Sequence, residues 1–183
     1  MNKEKIFKKL GLRAGIPTFL MMTSGVSKDF LKKVVEKILH IETDFQMAIT
    51  TKEKETRDIL KNLTKKAKEK FKIMGYINNV EEWLTVSDLS ISKPGGLVVS
   101  ESIAKGVPML ILSPVPGQEE LNSNYLLENG AAMTADTPEV VDYKINTLLR
   151  NSKKLVIMKN HARTLGKPNA AMDIAKDIMN SLG

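Results

Sequence analysis

The stretch from Asp88 to Ala132 leaves few folds open, because it holds two strand–loop–helix units in succession. Leu89-Ser90-Ile91-Ser92 is a short apolar-leaning run that stops at Lys93-Pro94. Gly95-Gly96 then opens a segment with helical spacing at Leu97, Ser100, Glu101 and Ala104. A second apolar run, Val107 to Leu112, stops at Ser113-Pro114-Val115-Pro116-Gly117. Gln118-Glu119-Glu120 opens the next helix, with Leu121, Tyr125 and Leu126 as its apolar stripe. Each loop thus lies between the carboxyl end of a parallel strand and the amino end of a helix, where open α/β sheets bind ligands. A helix start there offers N–H groups without intrahelical partners, and a positive dipole end, to anions such as phosphate.

The rest of the chain repeats the alternation. Residues 1–15 read as a short helix and turn with a small apolar face (Ile6, Phe7, Leu10) closed by Gly11 and Gly15. Strands are expected at Pro17–Met22, Phe45–Thr50, Phe71–Met74 and Ala131–Thr134, the first as a run buried on both faces. Helices are expected at Lys28–Leu39, Lys52–Lys68 (highly charged, hence outermost), Val80–Val86 around the single tryptophan Trp83, Pro138–Arg150 and Ser152–Leu165. A last one starts at Pro168 and runs to about Asn180. This order predicts one α/β domain: a doubly wound, Rossmann-like parallel sheet of about six strands.

Charge and composition narrow the function classes. The 183 residues suffice for one α/β domain with a sizeable core. With no cysteine, disulfides and thiolate metal sites are excluded. No apolar run approaches the ~18 residues of a membrane span, and no apolar signal core follows the basic start. The net charge of +7, with lysines concentrated between Lys52 and Lys72, reads either as solvated helix faces or as attraction to an anionic membrane surface or ligand. Nucleic acid is disfavoured because no aromatic or glycine platform accompanies the lysines. A dinucleotide oxidoreductase is disfavoured because Thr23-Ser24-Gly25-Val26, not G-x-G-x-x-G, follows the first strand. His40 and His161 lie on helical segments without a partner pattern and read as structural.

Ser92-Lys93-Pro94-Gly95-Gly96, Ser100-Glu101, Lys105-Gly106-Val107-Pro108, Pro116-Gly117-Gln118-Glu119 and Asn122 together resemble the donor-binding, carboxyl-terminal half of a GT-B glycosyltransferase. The likeness is closest to the glycolipid synthases (glycosyltransferase family 28-like) that move a hexose from a UDP-sugar onto diacylglycerol. These are monogalactosyldiacylglycerol synthase and the processive diacylglycerol glucosyltransferases. The peptidoglycan lipid II N-acetylglucosaminyltransferase is a more distant likeness. Gly25-Val26-Ser27-Lys28, Gly75-Tyr76 and the tail Lys167-Pro168-Asn169-Ala170-Ala171 extend it over nearly the whole chain.

The resemblance implies a role for each piece. Gly95, Gly96 and Leu97 would present backbone N–H groups to a diphosphate, with Lys93 adding charge. Glu101, about one and a half turns into the helix, would take the ribose diol, for which a carboxylate's paired acceptors suit two adjacent hydroxyls. Gln118, Glu119 and Asn122 would reach the hydroxyls of the donor sugar. Tyr76 would cover the nucleotide end and the Ile77 backbone would bond the uracil. Ser24 and Gly25 would face the diphosphate. Two positions depart from the family: Thr23-Ser24-Gly25 is less glycine-rich than usual, and Val98 stands where a hydroxyl residue is common.

By the same resemblance, residues 1–15 would be an interdomain linker and 16–183 the donor domain. The acceptor-binding half, with the general base and thus the catalytic residues, would lie on another domain or subunit. The expected partners are a UDP-hexose, that acceptor half and an anionic membrane surface. The expected location is the cytoplasm, peripheral at the inner face of the membrane. UDP-sugar is a substrate, and no cofactor is expected. The sequence shows no acidic D-x-D cluster, so no essential cation is expected either. Two alternatives keep the fold: a donor subunit for UDP-N-acetylglucosamine, and a nucleotide-binding module without catalysis. A sugar-nucleotide epimerase would need carboxylates and histidines that have no place in the pattern.

Overall fold

The computed structural model describes residues 2–182; Met1 and Gly183, at the outer ends of the two expected segments, lie outside them. Six parallel strands are described: β1 (Thr18–Met22), β2 (Gln46–Thr50), β3 (Phe71–Met74), β4 (Leu89–Ser92), β5 (Met109–Leu112) and β6 (Ala132–Ala135). They lie in the order β3-β2-β1-β4-β5-β6. The chain therefore winds outward from β1 in one direction and from β4 in the other, and the β1/β4 boundary is the topological switch point. The register there pairs Phe19 with Leu89 and Met22 with Ser92.

Helices cover both faces. α2 (Lys28–Ile38), α3 (Lys54–Leu63) and α7 (Pro138–Arg150) lie on one side. α1 (Lys3–Leu10), α4 (Val80–Val86) and α5 (Gly96–Ala104) lie on the other, and α8 (Ser152–Leu165) starts against the same core as α2 and α7 through Leu155 and Met158 and ends against α5 through Ala162. α6 (Gln118–Glu128) packs beside α5 and β6. β1 shows why the strands need two covers. Phe19 and Met21 point into the core under α2, while Leu20 and Met22 join Trp83 and Leu84 of α4 on the reverse face. Such double burial is the physical content of an unbroken apolar run in a parallel sheet.

Several expected boundaries are corrected. α3 runs from Lys54 to Leu63, not from Lys52 to Lys68. Its end is set where the Thr64 hydroxyl turns back to the Leu60 carbonyl, and Lys65, Lys66 and Lys68 would crowd like charges on another turn. It is the outermost helix on its face, packed on α2 and the edge strand β3 through buried Thr56 and Leu60. β5 starts at Met109 because Pro108 has no N–H to donate to the ladder. β1, β2 and β6 begin one residue later than expected, and β6 ends at Ala135. The last helix, α9, spans Ala170–Leu182, and none of its described side chains is buried.

Of the apolar stripe expected on α6 only Leu126 is buried, and on α5 the expected spacing does not mark the core face. On α5 the core-facing residues are Val99 and Ser102, and Leu97 is 80% exposed. On α6 they are Ser123 and Leu126, while Leu121 and Tyr125 are 70% and 48% exposed. α1 packs onto the domain. Ile6 and Leu10 are buried in the cluster with Trp83, and Lys72 Nζ donates to the Leu10 carbonyl.

Exposed ion pairs tie helices across the surface. Lys105 Nζ donates to Glu81 at 2.7 Å, Lys9 Nζ to Glu82 at 2.5 Å, and Lys37 Nζ stands 3.2 Å from Glu139. The Lys105 bond holds the Glu81 carboxyl below its ordinary pKa, the Lys9 and Asn79 bonds do so for Glu82, and a backbone N–H followed by Lys37 does so for Glu139. A depressed carboxylate contributes stability above the unfolded pKa and loses it as pH falls through the folded value. Thermal melts should therefore hold from neutral pH to about pH 5 and fall below it. Glu82→Gln should flatten part of that fall, and a melting temperature that stays constant to about pH 3 contradicts the assignment.

Candidate functional site

A cavity of about 610 Å³ opens at the carboxyl edge of the sheet, within the range of small-molecule sites. Its wall crosses the strand order. It takes Thr23, Ser24 and Gly25 after β1, Thr51 and Lys52 after β2, Gly75, Tyr76 and Ile77 after β3, and Leu97, Val98 and Glu101 from α5. Each loop is delivered by the strand before it, so the pairings of β1 with β2 and β4 and of β2 with β3 place residues 24 to 70 apart in sequence side by side. Thr23 donates both its backbone N–H and its hydroxyl to the Thr50 carbonyl, at 3.2 and 2.8 Å. Thr51 N–H reaches the Met74 carbonyl at 3.0 Å. The floor of the cavity is thus fixed by bonds between loops.

At one end of the cavity stands the start of α5. Its N-cap is Gly95, and no side chain caps it. The first-turn N–H groups point toward the strand-end edge with no side-chain acceptor, the arrangement that suits an anion. Glu101 lines the same cavity farther along this helix and is exposed. At the other end Tyr76 is 76% exposed, and Lys52 Nζ stands 5.7 Å from its ring centroid.

Of the residues singled out in the sequence, Ser24, Gly25, Tyr76, Ile77, Leu97 and Glu101 line this cavity. Lys93, Gly95, Gly96, Gln118, Glu119 and Asn122 lie beside it as a second group. Lys93 packs its aliphatic stem against Gly25 and holds its Nζ 3.9 Å from Glu119 Oε2; with Gly25 and Ser113 it lines a smaller cavity of about 230 Å³. Glu119 Oε2 also accepts the Val115 N–H at 2.9 Å, which closes the proline-rich loop before α6. Asn122 Nδ2 donates to the Pro94 carbonyl at 2.9 Å, pinning α6 to the loop before α5. A Cβ on Gly96 would lie 3.3 Å from Gln118 Nε2, so the bare glycine lets the two helix starts approach. Gly117 has φ 103 and ψ −128, a conformation that a side chain would strain. His40 stays exposed, and His161 Nδ1 lies 3.2 Å from the Gly130 carbonyl.

The sequence pattern missed the β2 side of the wall: Thr50, Thr51, Lys52, Glu53 and Thr56. The available signal was topological. Every loop at a carboxyl strand end near the switch point faces the same edge.

Comparison with known proteins agrees with this architecture. A processive diacylglycerol beta-glucosyltransferase of Bacillus pumilus is 31% identical over 180 residues, which cover 97% of this chain and 46% of the relative. The protein of the same name from Staphylococcus epidermidis is 33% identical over 188 residues, covering 100% of this chain and 47% of the relative. The chain thus spans about half the length of the curated relatives it matches. Among solved structures, Acinetobacter baumannii MurG superposes with a TM-score of 0.73 at 20% identity, covering 98% of this chain and 53% of that one. A putative UDP-N-acetylglucosamine 2-epimerase from Listeria monocytogenes reaches 0.74 at 19% identity, covering 97% and 47%. These likenesses show the fold, a Rossmann-like GT-B half. The family model described as Glycosyl transferases group 1 matches residues 2–165, so the chain belongs to that family.

Proposed function

We propose that this chain is the UDP-sugar-binding half of a glycosyltransferase that moves a hexose from a UDP-hexose onto diacylglycerol. The observation that carries the reading is the cavity itself: an uncapped helix start with Glu101 on the same helix at one end, and an exposed aromatic at the other. The diphosphate lies against the N–H groups of Gly96 and Leu97. Glu101 takes the ribose diol, and the base lies between Tyr76 and Ile77. The sugar lies toward Gln118, with Glu119 and Asn122 behind it. On departure of UDP, the helix-end N–H groups meet the charge developing on the leaving phosphate. The names of the curated relatives, processive diacylglycerol beta-glucosyltransferases, support diacylglycerol as acceptor and a hexose as the group moved.

The acceptor half is supplied by another domain or subunit. In support, Leu97 on the cavity wall is exposed, and so are Val115, Leu121 and Tyr125 in and before the neighbouring α6, apolar surface that a docked partner would cover. Alone, the chain binds the donor and transfers nothing. No helix among the described residues is long and apolar enough to cross a membrane.

A thermal-shift panel with UDP, UDP-glucose, UDP-galactose, UDP-N-acetylglucosamine and NAD tests this. A ligand at 100 times its Kd stabilises by about 2.7 kcal/mol, roughly 5–10 °C for a chain of this size. A shift is expected with UDP and at least one UDP-hexose and none with NAD. A folded sample that responds to no uridine nucleotide overturns the reading, and a response confined to UDP-N-acetylglucosamine replaces the hexose. Glycolipid formation by the chain alone would remove the need for a second half.

A further inference from the structure

The guanidinium of Arg57 lies against the bare backbone of Gly75, at the β3 end of the cavity. A Cβ on Gly75 would stand 3.1 Å from Arg57 Nη1. Gly75 is not among the glycines with positive φ, so no backbone conformation demands a glycine there, and its bareness gives the guanidinium room. Gly75 lines the cavity together with Tyr76 and Ile77. Thr56, next to Arg57 on α3, lines it too, and so does Glu53, whose carbonyl accepts the Arg57 N–H at 3.1 Å. Arg57 is half-buried and forms no ion pair among the described residues. The arginine side-chain hydrogen bonds among those residues belong to Arg13 and Arg163. A guanidinium carries five N–H donors in a planar fork and no acceptor, so Arg57 brings donors without protein partners to one end of the site.

The neighbouring cations are placed differently. Lys28 Nζ donates to Glu55 at 2.7 Å. Lys93 lays its stem against Gly25 and holds its ammonium 3.9 Å from Glu119 Oε2. Lys52 is exposed, with its ammonium over the face of the Tyr76 ring. In the order β3-β2-β1-β4, the β3 end that carries Gly75 lies three strand spacings from the β4 end that leads to α5, about 14 Å at ~4.8 Å per strand. A nucleotide with its diphosphate at the α5 start and its ribose on Glu101 therefore turns the far edge of its base toward Gly75. In a pyrimidine that edge is position 4, across the ring from the nitrogen that bears the ribose. Uracil has a carbonyl there, and cytosine an amino group. We infer that Arg57 donates to the 4-carbonyl of the base and so selects uracil over cytosine. An amino group in the same place would set donor against donor and leave the guanidinium unpaired. The inference deepens the nucleotide reading above and rests on it.

The test is calorimetric titration of UDP and CDP into the wild-type chain, Arg57→Ala, Arg57→Gln and Lys52→Ala, with the melting temperature of each unliganded protein as a folding control. The wild type should prefer UDP by about tenfold, the scale of one charge-assisted hydrogen bond. Arg57→Ala should lose about that factor for UDP and stay within about twofold for CDP, so that the preference disappears. Arg57→Gln, whose amide can donate to a carbonyl or accept from an amino group, should bind the two nucleotides alike. An alanine or glutamine variant that keeps the full wild-type preference overturns the inference while leaving the nucleotide site standing. So does an equal loss for UDP and CDP, which would put the guanidinium against the ring face or the ribose. A preference abolished by Lys52→Ala but not by Arg57→Ala overturns it as well, as does a wild type that binds UDP and CDP equally. A wild-type chain that binds neither removes the nucleotide reading, and this inference with it.

Discussion

Glu101→Ala is expected to weaken UDP binding by roughly 10- to 100-fold, because a hydrogen bond to a charged group is worth about 1.5–3 kcal/mol and each 1.4 kcal/mol is tenfold. Glu101 is exposed in the unliganded cavity, so its bonds compete with water, and the lower half of that range is the firmer expectation. Glu101→Gln keeps the length and one acceptor but loses the charge, and should fall between wild type and alanine. The assignment to the ribose is checked with a 2′,3′-dideoxy nucleotide. If Glu101 holds the diol, the wild type should bind that analogue about as weakly as Glu101→Ala binds UDP. The variant should also bind the two nucleotides alike, a cycle that isolates the contact. An alanine variant that still prefers UDP over the dideoxy compound would place the diol elsewhere.

Phe45→Ala is expected to cost about 3–5 kcal/mol of folding stability, enough to lower the melting temperature by roughly 10 °C or more in a chain of this length. Phe45 stands immediately before β2 and is fully buried. Its ring stacks on Phe19 at 5.8 Å and meets the edge of Phe71 at 5.9 Å, joining β1, β2 and β3 at one layer of the core. Lys70 Nζ lies 5.5 Å above the same ring and donates to the Ile41 carbonyl, so truncation also removes a contact under that ammonium. The two remaining rings, Phe19 and Phe71, cannot close the gap without moving strands, which puts the cost toward the upper end for such truncations. Urea denaturation with an unchanged m-value measures it. A loss below about 1.5 kcal/mol would mean that the site collapses far more easily than this packing implies.

The sheet was legible because its signal is strong and local. Thr18–Met22 and Met109–Leu112 are buried runs of a length only a two-faced strand explains, and the glycines and prolines that follow them mark the turns. The inner faces of α5 and α6 were not legible. Leu121 and Tyr125 have the same helical spacing with or without a core beneath them, and their exposure is set by how α6 leans on β6. Similarly, Lys52 heads a lysine-rich run that reads as a solvated face, and only the order β3-β2-β1 brings it beside Tyr76. Glu101 could be placed from spacing along one helix. Asn122 could not, because its bond to Pro94 joins residues 28 apart in the chain. Motifs report on what lies within a turn or two, and contacts between neighbouring loops depend on strand order.

The bond from Asn122 to the Pro94 carbonyl also bears on how this protein could be re-engineered. The loop before α5 and the loop before α6 are fastened to each other by Asn122, by the Lys93–Glu119 pair and by the close approach of Gln118 to Gly96. They are therefore one part rather than two interchangeable cassettes. A graft that swaps residues 113–122 for a relative's loop, in search of a different sugar, would also shift Gly95 and Gly96 at the start of α5. Sugar preference and nucleotide affinity would then change together, and a transplant that respects this joint must carry residues 93–96 with it.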